Sequence, residues 1–159
     1  MEDHKMRRKD RQLSREEAIT LLEQCEYGIL ATADKDGAPY AVPLSYVYQD
    51  GRIYFHCAIQ GHKLDNMAAN SRVSFCVVTD TKPVYVTDFT TYYKSVVVFG
   101  QARLVEEVEE KTAALRGLCM KYLPDSADKI ESNIEKYNKR TLVYAVEAEV
   151  ISGKANIKK

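Results

Sequence analysis

The chain has 159 residues, of which 45% are hydrophobic and 29% are charged, a length and composition typical of one soluble globular domain. Basic and acidic residues balance at 23 each, so no overall charge would draw the protein to nucleic acid or to an anionic membrane. The longest apolar runs are far shorter than the roughly 20 residues that span a bilayer. We therefore predict one domain over residues 1–159 and exclude an integral membrane protein.

The first 12 residues form a charged segment that we predict to be a solvated basic arm, and a contact with nucleic acid or membrane is the alternative. Its basic residues are Lys5, Arg7, Arg8, Lys9 and Arg11. The segment lacks the apolar stretch of a secretory signal. The four cysteines show neither C-x-x-C spacing nor a disulfide framework, which predicts a reducing, cytoplasmic setting.

The first predicted helix begins at a capping box, because Ser14 and Glu17 have the spacing in which each side chain satisfies a free backbone donor. Gly28 would end this helix in a left-handed conformation. Helical periodicity of apolar residues predicts three further helices, over residues 61–69, 108–122 and 127–137.

The remaining segments have the periodicity of strands, and Asp-Gly pairs mark two of the turns between them. We predict strands over residues 28–33, 39–48, 52–57, 72–78, 84–86, 95–104 and 141–151. Gly100 predicts a bend or bulge inside one of them. Antiparallel strands at such short spacing favour a closed or nearly closed barrel with helices outside it, a mainly β α+β fold.

Familiar catalytic motifs are absent from the sequence: no G-x-G-x-x-G, P-loop, G-x-S-x-G or H-E-x-x-H occurs. Rossmann dehydrogenases, P-loop enzymes and zincins are therefore poorly supported. His56 and His62 could act with Cys57 as metal ligands, but no further ligand completes a recognisable spacing. We predict no metal site.

The segment that begins at Gly61 is a candidate phosphate site. A helix starts there with His62 and Lys63 in its first turn, where cations oppose the helix dipole unless an anion binds. The alternative is that Lys63 is a surface charge that pairs with Asp65 or with nothing.

A second candidate is the predicted strand over residues 39–48. Pro43 cannot donate to a sheet ladder, so this strand should lie at an edge where its backbone is available to a planar ligand. Its tyrosines, Tyr40, Tyr46 and Tyr48, would share one face, as part of an aromatic core or as a stacking surface. Residues 95–100 are typical of a buried strand with a polar start.

Five segments together resemble the FMN-binding split barrels related to pyridoxamine 5′-phosphate oxidase, and most closely the nitroimidazole-resistance branch of that family. They are YGILAT (27–32), VPLSY (42–46), GHKLDN (61–66), RVSF (72–75) and SVVVFG (95–100). The resemblance covers nearly the whole chain in consistent order. It implies a six-stranded antiparallel split β-barrel with flanking helices, and a homodimer with one FMN in each of two clefts between the subunits.

The resemblance also implies a role for particular residues. Lys63 and His62 would hold the FMN phosphate. The isoalloxazine would lie against the main chain of Val42, Pro43, Leu44, Ser45 and Tyr46. Three residues would lie along the cofactor, namely His56, Cys57 and Ala58. The partner strand would contribute Ser95 and Val96.

The implied function is an FMN-dependent oxidoreductase that takes electrons from a small-molecule donor and reduces a nitro-aromatic or similar flat acceptor. The alternative is a protein of this fold that binds flavin or haem without turnover. The chain lacks the C-terminal arginine-leucine-proline signature of the oxidase, so pyridoxamine phosphate oxidation is not expected. His56 and Tyr46 are the candidate proton donors, and a hydrogen bond within the strand layer is the alternative role for His56.

Overall fold

The computed structural model describes residues 5–157, without the side chains of Ala127 and Lys139. Its helices are α1 Arg15–Gln24, α2 His62–Ala69, α3 Val108–Tyr122 and α4 Ile130–Tyr137. Its strands are β1 Gly28–Ala33, β2 Pro39–Leu44, β3 Val47–Gln49, β4 Arg52–Cys57, β5 Arg72–Pro83, β6 Thr91–Leu104 and β7 Leu142–Asn156. Short 3₁₀ turns lie at Lys9–Arg11, Pro124–Lys129 and Asn138–Arg140.

All seven strands form one antiparallel sheet in the order β2-β1-β5-β6-β7-β4-β3. Its two edge strands, β2 and β3, are joined by only Ser45 and Tyr46. Three residue steps reach at most about 11 Å, so the sheet must curl until its edges meet. The fold is a half-barrel consistent with a split barrel. It has seven strands and not the six that the resemblance implies, because the predicted strand over residues 39–48 is divided at this link.

The predicted strand over residues 84–86 is wrong. β5 and β6 form a long hairpin, and residues 84–90 make its closing loop, in which the Val84 N–H donates to the Thr90 carbonyl at 2.8 Å. β5 continues beyond the predicted end to Pro83, with a register shift between Thr79 and Lys82. The loop exposes the side chain of Val86 completely.

The capping box of α1 is confirmed, since the Glu17 N–H donates to Ser14 Oγ at 3.1 Å and the Ser14 N–H to Glu17 Oε2 at 2.7 Å. Gly28, in contrast, is not a left-handed helix end. It opens β1 against the ring of Phe75, which lies 2.1 Å from where a Cβ would be. Close packing, and not a positive φ, requires glycine there.

The core has two parts on opposite faces of the sheet. Inside the curl, Leu22 of α1 packs with Leu30, Phe75 and Val98, all fully buried. On the outer face of β4 and β7, α3 packs through Leu118 and its neighbours. None of the helices within residues 5–157 is both long and apolar enough to cross a membrane.

The predicted N-terminal arm is attached to the sheet where it approaches α1. The Leu13 N–H donates to the Gly153 carbonyl at 3.0 Å, and Gln12 bridges to Lys154 of β7. Arg8 forms an ion pair with Asp10 at 2.6 Å. Residues 1–4 of the predicted arm lie outside the described residues.

Candidate functional site

The N-terminus of α2 has no side-chain cap. Its N-cap is Gly61, whose φ of 145° places it where glycine is favoured, and the N–H groups of Leu64 and Asp65 both donate to the Gly61 carbonyl. In the part of the chain that the structure describes, the N–H groups of His62 and Lys63 have no acceptor. These donors and the helix dipole suit a bound anion.

Lys63 is half-buried, and within residues 5–157 its ammonium makes no ion pair with Asp65 or with any other carboxylate. It is close enough to Cys57 for its charge to favour the thiolate. Burial has the larger effect and raises the pKa of the Cys57 thiol. Cys57 is therefore a buried neutral thiol beside the start of α2, rather than a ready nucleophile.

A buried polar contact fixes α2 against β1 and β2. The Asn66 amide donates to Thr32 Oγ1 at 3.0 Å, and this hydroxyl lies 3.4 Å from the Tyr40 carbonyl that it donates to. The Tyr40 ring also packs against the His62 ring, with centroids 4.2 Å apart. The candidate phosphate site thus lies beside β2.

The position of β2 confirms the prediction made from Pro43. β2 pairs only with β1, so it is an edge strand, and its backbone groups directed away from β1 have no strand partner. Val42 and Leu44 are partly buried against the core, whereas Pro43 and Ser45 are exposed. The free edge of β2, with the exposed side chains of Pro43 and Ser45, therefore extends from the α2 N-terminus towards the end of β2.

The side chain of Tyr46 lies in the core and not at the surface. Its side chain is fully buried, its hydroxyl donates to the Leu22 carbonyl at 2.6 Å, and burial raises its pKa far above the ordinary value. The geometry therefore does not support Tyr46 as a proton donor to a surface ligand. Tyr46 and Tyr48 both pack in the core inside the curl, as the aromatic-core alternative predicts, whereas Tyr40 packs against His62.

The end of α3 fastens the link between β2 and β3, and nothing in the sequence pattern indicated this contact between distant residues. The Tyr122 hydroxyl accepts from the Tyr46 N–H at 2.9 Å and donates to the Glu26 carbonyl at 2.5 Å. Lys121 Nζ lies 3.9 Å from the centroid of the Tyr46 ring. Among the described residues, this buried ammonium has no hydrogen-bond partner, and burial lowers its pKa.

Replacing Tyr122 by Phe should destabilise the protein by about 1–3 kcal/mol, because the partly buried Tyr46 N–H loses its acceptor, whereas the exposed Glu26 carbonyl can bond to water. Urea unfolding followed by circular dichroism measures this change. The matched control is Tyr137→Phe, whose side chain is half-exposed on α4. Equal stability of the two variants would show that the Tyr122 hydroxyl has no structural role.

A cavity of about 580 Å³ lies where α3, α4 and the end of β4 meet. We call it the helix cavity. Ser45, His56 and Thr141 line it from the sheet side, and the helices contribute mostly apolar side chains. His56 is exposed at the end of β4, and Ala58 is exposed just beyond this strand. The cavity is therefore lined by two predicted cofactor residues, Ser45 and His56.

The predicted partner residues lie away from this region. On β5, Val78 pairs with Ser95, whereas Val73 lies level with Thr32, which contacts α2. Val73 and Val78 are five residues apart, so Ser95 is about 17 Å along β5 from this contact. Ser95 faces outward and is partly exposed. Val96 is different, because its side chain is fully buried in the core and its backbone lies between two paired strands. The structure does not support Val96 as a ligand contact.

Solved structures with this fold include flavin-binding proteins. A FAD-binding protein from Mesorhizobium loti is 27% identical, with a TM-score of 0.66 over 92% of this chain and 98% of that one. A FAD and heme binding protein from Mycobacterium smegmatis is 21% identical, with a TM-score of 0.81 over 93% of this chain and 74% of that one. A candidate 5-nitroimidazole antibiotic resistance protein from Bacteroides thetaiotaomicron is 21% identical, with a TM-score of 0.75 over 91% and 86%.

No curated protein matches the chain significantly. A family model described as pyridoxamine 5′-phosphate oxidase matches residues 14–155, which include every strand except the last residue of β7 and all but the ends of the described chain. The chain belongs to the pyridoxamine 5′-phosphate oxidase-like family.

Proposed function

We propose that the protein is an FMN-dependent oxidoreductase that reduces small, flat, electron-poor acceptors such as nitro-aromatics. The observation that carries the proposal is the uncapped N-terminus of α2, with Lys63 unpaired within the described residues, beside the edge strand β2. When bound, FMN would supply reversible electron transfer, while the protein binds and orients it. The flavin-binding relatives support a flavin, and the terminal phosphate of FMN is what this site suits.

Each part of the site has a separate role in this proposal. Lys63, His62 and the backbone donors of α2 bind the phosphate dianion. The edge of β2 from Val42 to Ser45 offers main-chain groups to the ring system, and Cys57 and Ala58 line the path between the two ends. A dianion there would also offset the unfavourable cations in the first turn of α2.

His56 is the proton donor in this proposal. Its imidazole is exposed, lines the helix cavity and has no side-chain hydrogen bond within residues 5–157. Histidine is the side chain that most often acts as a general acid, and an exposed imidazole can reach an acceptor beside it. The absence of a partner in the strand layer favours this role over a structural one.

We also propose a homodimer in which Ser95 of one chain serves the cofactor held by Lys63 of the other. An outward row of Ile29, Cys76 and Val97 runs in register across β1, β5 and β6. Ile29 is 40% exposed and Val78, next to Ser95, is 51% exposed. A contiguous exposed apolar surface of this kind is typical of a protein interface.

Mixed dimers test this arrangement. Lys63→Ala and Ser95→Trp chains are mixed, unfolded and refolded together. In a heterodimer, one cleft then holds both defects and the other holds neither. We expect each parent dimer to bind FMN weakly, and the mixture to regain tight sites up to one quarter of the total. A monomeric FMN complex in sedimentation, or no regained sites, would contradict the dimer.

The oxidoreductase activity is tested by reducing the FMN complex chemically and mixing it anaerobically with nitro-aromatics and quinones in a stopped-flow spectrometer. We expect absorbance at 450 nm to return with a rate that depends on acceptor concentration. His56→Ala should lower that rate while leaving FMN bound. Failure with every acceptor would favour a protein that binds flavin without turnover.

A further inference from the structure

The helix cavity has two chemically distinct walls. The helical wall is mostly apolar, with Leu115 and Leu118 from α3 and Ile134 from α4, and Asn133 is its polar exception. The sheet wall carries hydrogen-bonding groups, because Ser45 and Thr141 each bring a hydroxyl there. A space with a mostly apolar lining and a few polar groups on one side is typical of a site for a small organic molecule.

The lining also selects by charge. Among the residues that the structure describes, His56 is the one titratable basic group that lines the cavity, and none of the lining residues is a carboxylate. Tyr122 presents its ring, since its hydroxyl already binds backbone groups. Because an unpaired charge is costly to place against apolar side chains, this lining favours an uncharged ligand over an ionised one.

The size is also informative. A volume of about 580 Å³ is within the range of about 300–1,000 Å³ typical of small-molecule sites. The space is therefore ample for an aromatic molecule of one to three rings.

We propose that the helix cavity binds the electron acceptor, an uncharged flat aromatic molecule that lies between the apolar helical wall and His56. This inference rests on the proposed oxidoreductase function and assigns its acceptor site to α3 and α4. One end of the acceptor contacts Ser45 and His56, next to the predicted flavin residues. The rest of the molecule is enclosed by apolar side chains.

Binding is measured without any redox reaction. N-phenyl-1-naphthylamine is uncharged, and its fluorescence rises in apolar surroundings, so the purified protein is titrated with it. Cys119→Phe places a bulky ring in the cavity, whereas Met120→Phe places the same ring at the neighbouring, 48% exposed position that does not line it. We expect at least tenfold weaker binding in Cys119→Phe and less than a twofold change in Met120→Phe.

A second variant keeps the test decisive if Cys119→Phe fails to fold. Leu123 lines the cavity and is 54% exposed, so Leu123→Trp narrows it without entering the core, and the same loss of binding is expected. Nitrobenzene should displace the probe, and 4-nitrobenzoate, which adds one carboxylate, should do so at least tenfold less well. Unsaturable binding, equal affinity of the lining and control variants, or equal displacement would overturn the proposal.

FMN binding is tested separately from probe binding in the helix cavity. Lys63→Ala lies outside the cavity lining, so it should weaken FMN binding while changing probe affinity less than twofold. Cys119→Phe should do the opposite and also slow reoxidation by nitrobenzene. If the native protein binds the probe but does not bind FMN, the proposed function alone has failed. Normal FMN binding with unchanged reoxidation in Cys119→Phe would show that the acceptor binds elsewhere.

Discussion

FMN should bind Lys63→Ala about 10–150-fold more weakly than it binds the native protein, a loss of about 1.5–3 kcal/mol for a hydrogen bond between charged groups. Lys63 is half-buried at the uncapped start of α2, where no carboxylate in the described residues competes for it. Quenching of FMN fluorescence on titration gives the dissociation constant.

Two controls show whether the phosphate is responsible. Riboflavin lacks the phosphate, so its affinity should be the same for Lys63→Ala and the native protein. Lys35→Ala removes a mostly exposed lysine that already pairs with Asp36 at 2.7 Å, and it should leave FMN affinity unchanged. An unchanged FMN dissociation constant in Lys63→Ala would make Lys63 an ordinary surface charge.

Gly100→Ala should lower the free energy of unfolding by about 3 kcal/mol or more, at the upper end of typical overpacking costs. A Cβ at this position would lie 2.0 Å from the Glu147 carbonyl oxygen in the middle of the sheet. The obstacle is backbone, which a side-chain rotation cannot relieve. Urea unfolding at constant pH measures the change.

The matched control is Arg72→Ala, an exposed position on the neighbouring strand β5 that pairs with the residue after Gly100. It should change stability by no more than about 0.5 kcal/mol. The pairing of β6 with β7 shifts between Phe99 and Gly100, so the predicted irregularity does occur at Gly100, but the extra residue is Glu149 on β7 and not a residue of β6. Native stability in Gly100→Ala would mean that the two strands do not approach so closely there.

The parts of the fold that local chemistry determines could be predicted from sequence. The capping box of α1 depends on two residues three apart, and the irregularity at Gly100 on a glycine within a β-branched strand. The edge position of β2 follows from Pro43, which has no N–H to give to a second neighbour. Each of these features needs only neighbouring residues.

The errors arose where distant residues decide the conformation. The strand over residues 39–48 reads as continuous, but Tyr46 leaves it because its ring fills the core and its hydroxyl binds Leu22. Gly28 follows a helix, yet it must be glycine because the ring of Phe75 occupies the space that a Cβ would fill. In both cases the deciding residue is distant in sequence, so the local pattern does not indicate it.

The candidate site divides in the same way. The start of α2 was found because Gly61, His62 and Lys63 adjoin one another at a helix start. The helix cavity and the contacts of Lys121 and Tyr122 were missed, since their partners lie on other elements. The buried side chain of Val96 shows that strand alternation also decides which of two neighbours can reach a ligand.

The most direct test of the phosphate site is calorimetric titration of the flavin-free protein with FMN, riboflavin and FAD under identical conditions. Binding of a terminal phosphate dianion by Lys63, His62 and the α2 backbone predicts that FMN binds at least about tenfold more tightly than either of the others. Equal affinity for FMN and riboflavin, or tighter binding of FAD, would contradict the assignment of this helix N-terminus to the FMN phosphate.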